Sequence, residues 1–200
     1  NGVISSYHYT AAMLYCFLKK IVNNKPFMRP QVMVCMPSGV TDVEQRAIIE
    51  VAKEAGASHA CLIEEPIAAA IGAGLDIAGP YGNMIIDIGG GTTDIAVVAM
   101  GGMIVNQSIR IAGDSFDEAI IRYIRNKYDL VIGERTAERI KITIGSALPR
   151  EESIFMEVFG RDSLTGLPKK QKIYSTDTQK AFQALLNSIV FTIQNVLNIT

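Results

Sequence analysis

Two hundred residues and 21.7 kDa, 48% apolar and 20% charged, can bury one ordinary core or two small ones, which rules out a disordered chain. Nineteen basic residues against twenty acidic ones leave a net charge of -1, which excludes bulk electrostatic binding to nucleic acid or to an anionic membrane, so any partner must be recognised locally. Cys16, Cys35 and Cys61 lie in apolar stretches without CxxC spacing, and their odd number argues against a disulfide framework and for a reducing compartment. The sequons at Asn106 and Asn198 carry no weight without a secretory signal. No apolar run reaches the roughly 18 residues of a bilayer span. A start at Asn1 rather than Met, and an end just past an apolar helical stretch, suggest a piece of a longer protein.

In chain order, apolar residues spaced by three and four between Thr10 and Val22 predict an amphipathic helix. Gln31 to Met36 reads as a central strand covered on both faces. Thr41 with Glu44 has capping-box spacing and starts a helix ending near Gly56. A second apolar strand, Ala60 to Ile63, runs into Glu64-Glu65-Pro66 and a small-residue helix from Ile67 to Ala73, with Pro66 suited to the first turn. This strand–helix alternation implies right-handed crossovers and a parallel sheet.

Beyond a linker at Pro80, Gly82 and Asn83, three strands are predicted at Met84–Ile88, Ile95–Met100 and Met103–Ile111, the last two joined by a Gly101-Gly102 hairpin. Asp114 is expected to cap a helix running to about Tyr128, and Glu134 to Gly145 carries another. Two short strands, Phe155–Phe159 and Gln171–Tyr174, flank a loop, and Asp177 begins a final helix. His8 and His59 are isolated and read as ordinary surface or core histidines.

The sharpest motif is Asp87-Ile88-Gly89-Gly90-Gly91-Thr92-Thr93-Asp94, a glycine turn between two strands. Glycines that take positive φ can bring backbone N–H groups to phosphate oxygens, and a strand-end carboxylate can hold hydrated Mg²⁺. A tight hairpin needing flexible residues is the bland alternative, weakened by the flanking Asp87, Thr92 and Thr93. Neither GxxxxGK[ST] nor a complete GxGxxG occurs. Lys25-Pro26-Phe27-Met28-Arg29 reads as an exposed loop with two large apolar residues between cations, suited to shallow insertion at a lipid interface or to folding back on its own domain.

DIGGGTTDIAV, preceded by LIEEPIAAAIGAGL and followed by SIRIAGDSFDEAI and IGERTAERIKITIG, closely resembles the MreB-type bacterial actins, within the superfamily of actin, chaperone ATPases and sugar kinases. The resemblance covers nearly the whole chain. It implies an α/β, actin-like (ribonuclease H-like) fold of two lobes: residues 1–80 without an outer subdomain, and 81–200 with an outer subdomain inserted at about 115–188. The family's opening phosphate loop and later adenosine loop are both missing.

Residue by residue, the resemblance makes Asp87 the Mg²⁺ carboxylate, and Gly89, Gly90, Gly91 and Thr92 the loop around the β- and γ-phosphates of ATP. It makes Glu65 the residue that positions the attacking water; by itself Glu65 is a carboxylate favoured at a helix N-terminus, and Glu64 is equally eligible. Gly113, Asp117, Glu138 and Lys141 fall on the nucleoside side; taken alone, they are a capped helix start and a solvated helical face. Asp94 stands where many relatives carry Glu. The resemblance also puts the Phe27 and Met28 loop at a membrane. The implied function is a slow, polymerisation-coupled ATP hydrolase forming a homopolymer at the inner face of the plasma membrane, with other cell-shape proteins as partners. A chaperone-type ATPase of the same superfamily is the alternative, and ERTAERIK with the apolar loop argues against it.

Overall fold

The computed structural model describes residues 7–22, 29–37 and 40–200. Lys25, Pro26, Phe27 and Met28, the expected membrane loop, lie outside the described residues. The chain divides into two compact units, one of Asn1–Asp87 with Asp94–Asn106 and Thr200, the other of Ile88–Thr93 with Gln107–Ile199.

The first unit opens with helix α1 (Tyr7–Ile21) and the parallel pair β1 (Gln31–Met36) and β2 (His59–Glu64), in register Gln31 to His59 through Met36 to Glu64. Between them runs α2 (Asp42–Glu54). Its capping box forms as the spacing predicts: Glu44 N–H donates to Thr41 Oγ1 at 3.4 Å, and Thr41 N–H to Glu44 Oε2 at 2.9 Å. The parallel pairing forms as expected; among the described residues it makes a two-stranded sheet in which alternate residues of β1 are exposed, Met33 at 65%, so the expected cover on both faces is not seen there. Helix α3 (Glu65–Gly72) follows β2 directly, with Pro66 in its first turn.

Strands β3 (Asn83–Ile88), β4 (Thr93–Ala99) and β5 (Gly102–Ile109) lie side by side in that order, and every residue of β4 is buried. The β4–β5 turn is Met100-Gly101, both at positive φ (53° and 74°), one residue earlier than expected. Ala70 of α3 packs with Ile85 and Val98, while Leu18, Ala55 and Ala57 form a smaller cluster beside α1.

The second unit contains α4 (Gly113–Tyr128), β6 (Leu130–Val131), α5 (Glu134–Ile144), β7 (Phe155–Asp162), β8 (Pro168–Tyr174) and α6 (Ser175–Ile199). Strands β6, β7 and β8 form an antiparallel sheet in that order, β7 and β8 being longer than their apolar residues suggest because Asp162 closes the hairpin. Its carboxylate accepts from Leu164 N–H at 3.0 Å, Thr165 N–H at 2.9 Å and Lys169 Nζ at 3.0 Å. Val158 and Ile173 on the inner face of the sheet pack with Ile120, Ile124, Ile140 and Phe182 of the three helices in one core.

Asp177 lies in the first turn of α6 and accepts from Lys127 Nζ, Tyr128 Oη at 2.7 Å and Tyr174 N–H at 2.9 Å. Among the described residues, α6 is long and apolar enough to cross a membrane by length and composition alone, although no unbroken apolar run in it reaches a bilayer's span. Its buried Phe182, Ile189 and Val196, and its ion-paired Asp177, fit a helix packed in its own unit.

Candidate functional site

Strand β3 ends at Ile88, and the glycine turn carries the chain into β4 at Thr93. Gly89 N–H donates to the Thr92 carbonyl at 2.9 Å, closing the turn on itself. The expected reason for the glycines is corrected here: none of Gly89, Gly90 and Gly91 has positive φ. Close approach constrains the loop instead, and it acts at Gly113, where a Cβ would meet the Gly89 carbonyl oxygen at 3.3 Å and the Gly90 Cα at 3.5 Å.

That approach rests on two backbone hydrogen bonds. Gly113 N–H donates to the Gly89 carbonyl at 3.0 Å, and Asp114 N–H to the Gly90 carbonyl at 2.8 Å. Asp114 therefore does not cap α4. The N-cap is Ala112, without a side-chain cap, and Asp114 sits inside the first turn with its own N–H committed to the loop. Thr93, fully buried, donates its hydroxyl to the Ile111 carbonyl at 2.6 Å.

Three of the four residues expected on the nucleoside side come together in the second unit. Lys141, on α5, donates to the Gly113 carbonyl at 2.9 Å and to Asp117 Oδ2 at 2.8 Å. Asp117 Oδ1 is buried with no hydrogen-bond partner, which is costly unless a ligand supplies a donor. The fourth, Glu138, is exposed one turn before Lys141 on the same helix.

In the first unit, Glu65 opens α3 half-buried, and Asp87 is half-buried near the end of β3. Loss of water by burial, then the charges of Asp87 and Asp94, push the Glu65 carboxyl above its ordinary value. Asp94, which stands where many relatives carry Glu, is buried on β4, and its charge bears on Glu65. No group of three or more His, Cys, Asp or Glu side chains among the described residues could hold a metal by itself. A single carboxylate suits Mg²⁺ that keeps waters and takes its remaining ligands from phosphates.

Residues 1–200 match the MreB/Mbl protein family. The cell shape-determining protein MreB of Escherichia coli (strain K12) is 50% identical over 192 residues, covering 95% of this chain and 55% of the relative. Mbl of Bacillus cereus is 44% identical over 200 residues, covering 100% and 60%. The chain thus spans 55 to 60% of the length of these curated relatives. Among solved structures, MreB5 of Spiroplasma citri bound to ADP superposes with a TM-score of 0.92 at 38% identity, covering 100% of this chain and 60% of that one; the AMPPNP-bound form gives 0.89. A MamK double helical filament shares the fold, with a TM-score of 0.78 at 21% identity over 98% of this chain and 60% of that chain.

Proposed function

The chain belongs to the MreB/Mbl family, and from that premise we propose that the protein binds and slowly hydrolyses ATP with Mg²⁺ and polymerises into membrane-associated filaments that govern cell shape. Its fold is the actin-like α/β fold of its structural neighbours. The observation that carries the nucleotide reading is the glycine turn tied to the first turn of α4 through Gly113 and Asp114, with Lys141 holding both Gly113 and Asp117 in the same unit. The ADP- and AMPPNP-bound neighbours support it.

In this reading Gly89, Gly90, Gly91 and Thr92 wrap the β- and γ-phosphates, and Gly113, Asp117, Glu138 and Lys141 serve the nucleoside side. The orphaned Asp117 Oδ1 fits a hydroxyl donor, such as a ribose supplies. Asp87 would hold Mg²⁺, which when bound would supply neutralisation of phosphate charge. Glu65 orients the attacking water and accepts its proton; burial and two neighbouring negative charges raise its proton affinity toward that of a useful base. No observation favours a chaperone reading over filament assembly.

The division into lobes at residues 1–80 and 81–200, with an outer subdomain at about 115–188, belongs to the same proposal, as do a cytoplasmic location at the inner face of the plasma membrane, contact there through Phe27 and Met28, and other cell-shape proteins as partners. Electron microscopy of protein of its relatives' full length, with ATP and Mg²⁺, tests the assembly reading. Regular double filaments are expected, and their absence where nucleotide is bound would overturn it.

A further inference from the structure

We propose that Thr93 is the positioning residue of the phosphate loop: its buried hydroxyl, bonded to the Ile111 carbonyl, clips the loop to the segment that opens α4 and so holds Gly89–Gly91 ready for phosphate. The inference rests on the nucleotide reading above and adds to it a residue that makes no phosphate contact.

Thr93 begins β4, where successive side chains point to opposite faces. Thr92, in the turn before the strand, is half-buried, whereas Thr93, in the strand, is fully buried, so only Thr93 has its side chain enclosed by the protein. For packing alone, valine would serve at a buried strand position as well as threonine. The hydroxyl is explained by its bond to Ile111, at 2.6 Å.

That bond is one of three lacing residues 89–93 to residues 111–114. The other two run the opposite way, from Gly113 N–H to Gly89 and from Asp114 N–H to Gly90, at 3.0 and 2.8 Å. Lys141 Nζ holds the Gly113 carbonyl from the far side at 2.9 Å. With Thr93 removed, the β4 end of the turn loses its only side-chain anchor among the described hydrogen bonds, and the turn must be ordered by the ligand at the ligand's expense.

The test is isothermal titration of Mg²⁺-ADP into full-length wild type, Thr93→Val and Thr93→Ser. Loss of one buried hydrogen bond predicts a Kd about tenfold weaker for Thr93→Val. The number of sites per folded chain should stay the same, and Thr93→Ser, which keeps the hydroxyl, should bind within about twofold of wild type. A merely structural role would lower the number of competent sites and leave Kd unchanged, and that result would overturn the proposal. So would a folded Thr93→Ser that binds about tenfold more weakly than wild type, a result readable even where the valine variant fails to fold. Wild type that binds no Mg²⁺-ADP would overturn the nucleotide reading itself, a failure visible before any variant is made, and the clip's role with it.

Discussion

Lys141 holds Asp117 by one carboxylate oxygen and leaves the other buried without a partner. The same ammonium holds the Gly113 carbonyl, whose residue touches the glycine turn at Gly89 and Gly90. Lys141→Ala thus unpairs Asp117 and releases Gly113 together. We predict a loss of Mg²⁺-ADP affinity of about tenfold or more, with about 1–3 kcal/mol of stability lost by denaturant unfolding. Affinity equal to wild type would remove Lys141 from the site.

Glu65→Gln should lower phosphate release roughly 10²-fold while keeping nucleotide affinity within a few-fold, the usual scale for losing a general base. In the metal-free protein the Glu65 carboxyl should titrate, by NMR, with an inflection above the ordinary carboxylate value. Asp94→Asn removes one of the two neighbouring negative charges and should move the inflection down, though not to the ordinary value, since burial is the larger cause. For stability the sign is opposite to that of a paired carboxylate: the folded state holds this proton more tightly, so Glu65 costs stability as pH rises between its ordinary and raised values. An inflection unmoved by Asp94→Asn would separate the two residues.

Asp87→Ala should abolish Mg²⁺-dependent nucleotide binding, because it removes the carboxylate proposed to hold the metal. Titration with and without Mg²⁺ decides this. Retained Mg²⁺ dependence would move the metal to another ligand.

What the sequence revealed was local. Thr41 and Glu44 are three residues apart, and Pro66 marks a helix start by its own ring, so both could be read without knowing the fold. Asp114 misled because the capping signal is equally local, whereas the helix begins one residue earlier, at Gly113, and the N–H groups of Gly113 and Asp114 are taken by the carbonyls of Gly89 and Gly90, more than twenty residues away in the chain. The bond from Thr93 to Ile111 spans 18 residues and that from Lys127 to Asp177 spans 50, and no spacing rule reaches them. Strand β6, with two residues, is too short to show a period. Site identities came from the motif and the family resemblance; the lacing that organises them came from the structure.

Asp177→Ala should destabilise the second unit by about 2 kcal/mol, because it strips three donors of their acceptor at a residue only 2% exposed. Burial works to raise the Asp177 carboxyl, but the bonds from Lys127, the Tyr174 N–H and Tyr128 together outweigh it and hold it below its ordinary value. The contribution is therefore complete above the ordinary carboxylate pKa and lost as pH falls through the lowered one. Urea titrations should show wild type and variant converging below about pH 4. A constant gap down to acid denaturation would mean that packing, not the carboxylate, sets the difference.

Phe27→Ser with Met28→Ser should leave filaments intact but abolish co-sedimentation with liposomes. Shallow burial of each side chain is worth less than the roughly 1.5–3 kcal/mol of complete burial, and repetition along a filament multiplies weak anchors. A double variant that pellets with vesicles as wild type does, with both polymerised, would sink the membrane assignment.

Helix α4 is fastened at both ends. Its first turn is bonded to Gly89 and Gly90, while at its last turn Lys127 and Tyr128 bind Asp177 at the start of α6, and the Tyr128 carbonyl takes Lys169 of β8 at 2.7 Å. Sixteen residues make a rod of about 24 Å, and an α-helix resists compression along its axis. A single continuous helix therefore joins the glycine turn, at one end, to β8 and the head of α6 at the other, each junction made by hydrogen bonds rather than by packing alone.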